Sequence, residues 1–317
     1  MDYLKNRVLI GSILVLLISN LVLAQIPRDT SYTLQSTLKK HSKYYSDVSL
    51  PKVVPSKKVS VIKNTTYRIL DDRKLPADLY LPKNTKKTHP GILMVHGGGW
   101  RAGNKSLMRD MSLKLAEAGY VVMAPEYRLS LEAPYPAGVY DVKAALRWMR
   151  INASSLGLDG TRIAILGCSA GGQLASLVGV TGGREVFYED PTIDVSNEVQ
   201  AIVDVDGVLK FRHPESSEGR VAAEWLGGIY EQVPENWEEA SALNYVNEKT
   251  PPTLFLASKY PRFLAGHREY MQLQEQHGTL TRRVDMGDAP HSFWLLNPWF
   301  EPTVEHVLSF LNEVFDK

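Results

Sequence analysis

Three short stretches carry side chains whose types and spacing fit nucleophilic acyl chemistry. The first, Gly167-Cys168-Ser169-Ala170-Gly171-Gly172, sets a serine among small residues, between the apolar run Arg162–Leu166 and the helical pattern Gln173–Val180. A serine on a sharp strand-to-helix turn needs such neighbours, because the turn imposes unusual φ/ψ and close backbone approach. The helix that follows then aims N–H groups at a developing anion. The second stretch, His96-Gly97-Gly98-Gly99-Trp100, ends another apolar run. Three consecutive glycines let backbone N–H groups reach a ligand with no side chain in the way. The N–H groups of Gly98 and Gly99, with that of Ala170 after the serine, are the expected oxyanion donors. The third, Pro290-His291-Ser292-Phe293-Trp294, lies late in the chain, where a general base belongs if the order is serine, acid, histidine. Other histidines suit that role poorly. His41 and His89 precede or separate early strands, His213 falls in an irregular stretch, and His267, His277 and His306 sit on helical patterns. His96 is expected to brace its loop.

These stretches need a scaffold that brings their ends together. Strands are expected at Val59–Leu70, Ala77–Leu81, Gly91–His96, Tyr120–Ala124, Arg162–Leu166, Gln200–Val205, Thr253–Ala257 and Thr281–Met286. Several are near-continuous apolar runs, the pattern of parallel strands buried on both faces. Helical stripes lie between them: Leu107, Met111, Leu115 and Ala118; then Val139, Val142, Leu146 and Met149; and finally Val304, Val307, Leu308, Leu311 and Phe315. The alternation predicts an α/β fold, with a mostly parallel sheet of about eight strands covered by helices on both faces. Short connections should make the first two strands antiparallel. Residues 207–250 break the alternation and are expected to form an insertion facing the substrate.

The N-terminal end reads differently. Residues 1–24 have the pattern of a signal peptide: basic Lys5 and Arg7, a mostly apolar Val8–Leu23, and small residues Val22 and Ala24 before Gln25. Residues 25–57 are polar and proline-containing, and are expected to be an arm or linker ahead of a domain spanning 58–317. A bacterial periplasmic or secreted location is the expectation, with no stable membrane insertion after cleavage. The whole chain of 317 residues carries 36 Lys and Arg against 35 Asp and Glu. Removing Lys5, Arg7 and Asp2 leaves 34 of each, so the mature chain has zero net charge. That balance, without a dense basic stripe, argues against a nucleic-acid partner. Cys168 is the single cysteine, which excludes an intramolecular disulfide and a cysteine-based zinc site.

Taken together, these motifs resemble the α/β-hydrolase superfamily, in particular its HGGGW-bearing esterases of the hormone-sensitive-lipase type. Tyr127-Arg128-Leu129-Ser130 and Tyr135-Pro136-Ala137-Gly138-Val139-Tyr140-Asp141 also look like that group. Pro261-Arg262-Phe263-Leu264-Ala265-Gly266, and His291-Ser292-Phe293-Trp294 through Pro298-Trp299-Phe300-Glu301-Pro302-Thr303, are similar to bacterial carbohydrate esterases related to acetyl xylan, pectin acetyl and feruloyl esterases. The resemblance covers about residues 58–317. It implies Ser169 as nucleophile and His291 as base, and no metal or organic cofactor; no phosphate-loop or dinucleotide fingerprint is present either.

The departure concerns the acid. Such hydrolases usually carry an aspartate just after the strand matching Thr253–Ala257, where this chain reads Ser258-Lys259-Tyr260-Pro261-Arg262-Phe263. Asp206, one strand earlier, is the preferred replacement. Glu269 comes second and Asp288 third. Trp100, Arg262 and Trp294 are the expected substrate-binding residues, since aromatic faces stack on sugars and Arg262 can meet a uronate. The expected substrate is an acylated carbohydrate, with acetyl groups on xylan or pectin as the leading case. A feruloyl or general carboxylesterase is the alternative, and a non-catalytic pseudo-hydrolase, suggested by the displaced acid, a further one.

Overall fold

The structure is a computed structural model that describes residues 28–71, 73–84, 87–184, 186–189, 193–216 and 219–316. The expected signal peptide, residues 1–24, lies outside them. In chain order the elements are α1 (Leu34–His41), β1 (Val59–Leu70), β2 (Arg73–Pro82), β3 (His89–Val95), α2 (Arg109–Glu117), β4 (Val121–Pro125), α3 (Ala137–Ile151), α4 (Ala153–Leu156) and β5 (Leu158–Cys168). The second half holds α5 (Ala170–Val180), β6 (Ala201–Val205), α6 (Gly219–Leu226), α7 (Pro234–Glu239), β7 (Thr253–Ala257), α8 (His267–Gln276), β8 (Thr281–Asp285) and α9 (Phe300–Val314).

The strands form one eight-stranded sheet in the order β1-β2-β4-β3-β5-β6-β7-β8. β2 runs antiparallel to both β1 and β4, and the remaining pairings are parallel. Alternation along each central strand divides the apolar residues between two cores. Leu93, Ile163, Ile165 and Ile202 face α3 and α5, whereas Ile92, Met94, Leu166 and Val203 share a core with residues of α2 and α9. Burying both faces is why these strands read as unbroken apolar runs. Each fully buried Leu or Ile stabilises the fold by roughly 1.5–3 kcal/mol. The stripe from Leu107 starts in a 3₁₀ turn, Lys105–Met108, and becomes α2 only at Arg109. The third strand ends at Val95, so His96 already belongs to the glycine loop.

Residues 28–58 pack on the sheet domain. Tyr32, Leu34, Leu38, Val48, Leu50 and Val53 lie on the core shared by α2 and α9. α1 begins with a reciprocal cap, in which the Thr33 side chain accepts from the Ser36 N–H and Ser36 Oγ accepts from the Thr33 N–H. Farther along, the Asn297 N–H donates to the Ser49 carbonyl at 2.8 Å, and the Tyr45 ring meets Trp299 edge to face at 5.3 Å. The insertion after β6 holds α6 and α7 and closes over the sheet through Trp225 and Trp237, both buried.

Candidate active site

At the C-terminal edge of the sheet the chain leaves β5 at Cys168 and enters α5 at Ala170, so Ser169 alone makes the turn, with φ 57° and ψ −122°. Its neighbours must be small. A Cβ on Gly167 would lie 1.9 Å from the Gly171 carbonyl oxygen, and one on Gly171 would lie 2.2 Å from that of Val95. The Ser169 N–H is tied to the Val205 carbonyl at 2.7 Å, fixing the turn against β6. Strained backbone gathers here: Trp100, Asp206 and Ser292 also hold positive φ, at 56°, 57° and 74°. Such conformations cost about 1–3 kcal/mol each and persist where the surroundings over-determine them.

Ser169 Oγ lies 2.9 Å from His291 Nε2, and His291 Nδ1 lies 2.8 Å from Asp206 Oδ2. An ionised carboxylate only accepts, so Nδ1 carries the ring proton and Nε2 is left to accept from the serine hydroxyl. Asp206 is fully buried. Its other oxygen, Oδ1, accepts the Ser258 N–H at 2.7 Å. The loop after β7 therefore lacks a carboxylate of its own but supplies the backbone donor that orients the one arriving from β6. Burial holds the His291 imidazole below its ordinary pKa; the hydrogen bond and charge of Asp206 pull the other way, and the positive charges of Arg262 and Lys40 add to the lowering. Phe263 stacks flat on the imidazole, with centroids 3.6 Å apart and planes 12° from parallel.

Neither alternative acid approaches His291. Glu269 Oε1 faces His213 Nε2 at 3.5 Å, and Asp288 accepts from Lys259 Nζ at 2.6 Å. A second buried carboxylate, Asp204, accepts from Ser176 Oγ at 2.7 Å and from the Gly207 N–H at 2.6 Å. Burial pushes its pKa up to about 7. The thiol of Cys168 is fully buried, and burial raises its pKa well above the ordinary range. A buried neutral thiol is a packing group rather than a nucleophile.

A cavity of about 400 Å³ opens over Ser169 and His291, and Gly98, Gly99 and Ala170 all line it. Ala170 is the first residue of α5, so its N–H has no carbonyl one turn earlier to meet. Gly98, at φ 130°, allows the loop to double back: a Cβ there would lie 2.1 Å from the Ala102 carbonyl oxygen. His96 is buried behind the loop, stacked on Tyr127 at 4.4 Å and bonded through Nδ1 to the Gly97 carbonyl at 2.9 Å. Among the described residues no cluster of His, Cys, Asp and Glu could hold a metal ion, and no helix is long and apolar enough to cross a membrane.

The three expected substrate-binding residues part company. Arg262 lines the cavity and is exposed. Trp100 touches the cavity but is only 7 % exposed, because its ring stacks on Trp225 at 4.7 Å and its indole N–H donates to Gln173 at 3.0 Å. It fastens the insertion to the glycine loop and offers no free face to a sugar. Trp294 is 1 % exposed and stands edge-on to His291 at 5.2 Å, outside the cavity lining. The expectation of a sugar-stacking face fails for both tryptophans, since both rings are committed to packing. The sequence placed the insertion of residues 207–250 toward the substrate but named none of its lining residues, and it missed the arm as a wall. Asp29, Ser31, Tyr32 and Lys40 of the arm and Val208 and Val221 of the insertion line the cavity, and Tyr32 reaches Ser292 through a hydroxyl–hydroxyl contact of 3.0 Å. No motif marks these residues.

A model of the family described as BD-FAE matches residues 77–261, a span that contains Ser169 and Asp206 and stops short of His291. The esterase LipC of Mycobacterium tuberculosis is 27% identical over 246 residues, 72% of this chain and 59% of that protein. The chain thus spans about three fifths of this relative's length. Among solved structures, esterase 2 of Thermogutta terrifontis, phosphonylated by sarin, superposes with a TM-score of 0.69 at 24% identity, covering 82% of this chain and 97% of that one. A truncated carbohydrate esterase from gut microbiota gives 0.66 at 23%, covering 83% and 99%. These two likenesses establish the α/β-hydrolase fold.

Proposed function

The chain belongs to the BD-FAE family, and on that premise we propose that it hydrolyses carboxylic esters through an acyl-enzyme on Ser169. The observation that carries the reading is the continuous relay from Ser169 Oγ through His291 to Asp206, with contacts of 2.9 and 2.8 Å, at the floor of a cavity. His291 Nε2 takes the serine proton as Oγ attacks the ester carbonyl. Asp206 holds the tautomer and stabilises the imidazolium that forms. The N–H groups of Gly98, Gly99 and Ala170 receive the oxyanion, an effect worth about 3 kcal/mol per donor. His291 then gives the proton to the leaving alcohol and activates water against the acyl-serine. The displaced acid was the ground for suspecting a non-catalytic module; the short contact between Asp206 and His291 weakens that ground.

The substrate we propose is an O-acetylated plant polysaccharide, and the site of action the periplasm or the exterior of a bacterial cell. The N-terminal basic and apolar pattern supports the location, and the motif resemblance supports the substrate. Purified protein should release acetate from acetylated xylan, acetylated pectin or nitrophenyl acetate. A fluorophosphonate probe should label the wild type and leave Ser169→Ala unlabelled. Absence of acetate release from all three would overturn the proposal, and a panel of longer and aromatic acyl groups fixes the acyl preference.

A further inference from the structure

The lining of the cavity holds three cations, Lys40, Arg101 and Arg262, and two carboxylates, Asp29 and Asp206. Both carboxylates are already engaged. Asp29 meets Arg101 Nε at 3.1 Å, and Asp206 holds His291. Arg101 is doubly matched, because its Nη1 also meets Glu224 Oε1 at 2.6 Å. Lys40 and Arg262 form no ion pair among the described residues. Two positive charges therefore line the cavity without a carboxylate in direct contact among the described residues.

Their placement ties them to the reacting atoms. The Arg262 guanidinium lies over the Phe263 ring, 4.5 Å from its centroid, and the same ring lies flat on His291. The stack holds the cation on the imidazole's side of the cavity. Lys40 comes from the last turn of α1, on the arm. Both charges oppose protonation of His291, so both fields reach the same space. A neutral substrate makes no use of these two charges. A carboxylate in the cavity accepts charge-assisted hydrogen bonds from such groups.

We infer that the cavity is a receptor for esters that bear a carboxylate near the scissile group, divided between Lys40 of the N-terminal arm and Arg262 of the loop after β7. The substrate class is then the O-acyl ester of an acidic sugar, a uronate, in preference to that of a neutral one. This inference rests on the esterase reading of the same site. With a formal charge of only +1 on the whole chain, selection acts at close range rather than by long-range steering.

A matched pair of small esters isolates the charge: meta-acetoxybenzoate, which is anionic, and its neutral methyl ester. The readout is the ratio of their kcat/KM values with the full chain at low salt. The ratio should fall about tenfold in the double variant Lys40→Gln/Arg262→Gln and about threefold in each single variant, with Lys40→Arg close to wild type. Raising salt to about 0.5 M should lower the wild-type ratio and leave that of the double variant unmoved. A ratio equal in wild type and double variant overturns the inference while the esterase reading stands. Failure of the wild type to cleave either ester removes the esterase reading itself. On polymers, acetylated homogalacturonan should be deacetylated faster than acetylated xylan, and the double variant should narrow that gap.

Discussion

The floor of the cavity and its walls are held in place by different forces. On the floor, Ser169, Asp206 and the glycine loop stand at the ends of parallel strands, and backbone hydrogen bonds fix them: Ser169 N–H to Val205, Ser258 N–H to Asp206. The walls come from segments far apart in sequence, namely the arm, the insertion and the turn Pro261–Phe263, and side-chain contacts hold them, such as Tyr32 with Ser292, Asp29 with Arg101 and Trp100 with Trp225. Geometry at the floor tolerates almost no change, because a proton moves along it. A wall needs only shape and charge. Substitutions at the floor should therefore cost orders of magnitude in rate, and substitutions in the walls about tenfold or less.

Asp206→Asn should give the largest effect, a fall in kcat of about 10³- to 10⁴-fold on nitrophenyl acetate. An amide keeps the Ser258 bond through its oxygen but turns N–H toward Nδ1. That forces the ring proton onto Nε2, facing the serine. Glu269→Gln, in the first turn of α8, should change kcat less than twofold. Comparable losses in the two variants would mean that the acid has been misassigned and that the floor is not distinct. Phe263→Ala comes next, with kcat/KM lowered about tenfold, the value of about 1 kcal/mol of lost ring contact together with a looser imidazole. A loss as large as that of Asp206→Asn would erase the distinction between floor and wall.

The pH profile gives the smallest effect. The neutral imidazole is the active base and is present above its pKa. Burial lowers that pKa, so the acid limb of kcat/KM should lie below the ordinary histidine value of about 6.5. Removing the positive charges of Lys40 and Arg262 makes protonation easier, so in the double variant the limb should move upward by a few tenths of a pH unit. A shift downward would contradict the placement of those charges over the imidazole.

The same contrast governs what could be read from the chain. Ser169 and the run Gly97–Gly99 were legible because the backbone there excludes side chains, and only glycine or another small residue satisfies the turn. The central strands were legible for a similar reason, since burial on both faces leaves few residue types. The acid was harder to identify. Asp206, Glu269 and Asp288 are all plausible in sequence, and what selects among them is the Ser258 N–H, a backbone group with no sequence signature. Trp100 and Trp294 were misread because an aromatic residue beside a catalytic motif serves core and cavity equally well; only the positions of Trp225 and His291 decide. Lys40 could not be found at all, because α1 carries three basic residues in its last turn and nothing in their order marks the one that faces the cavity.

The arm contact has a consequence for how the molecule is made. Tyr32 and Ser292 are 260 residues apart in sequence, so the wall they share depends on a contact of very long sequence separation. Synthesis proceeds from the N-terminus, so the arm meets Arg101 and the residues of α2 early, whereas its Tyr32 contact waits for the last part of the chain. That part of the cavity wall is thus complete only after Ser292 has been made. An unfinished chain ending before His291 lacks both the base and the Ser292 contact to the arm.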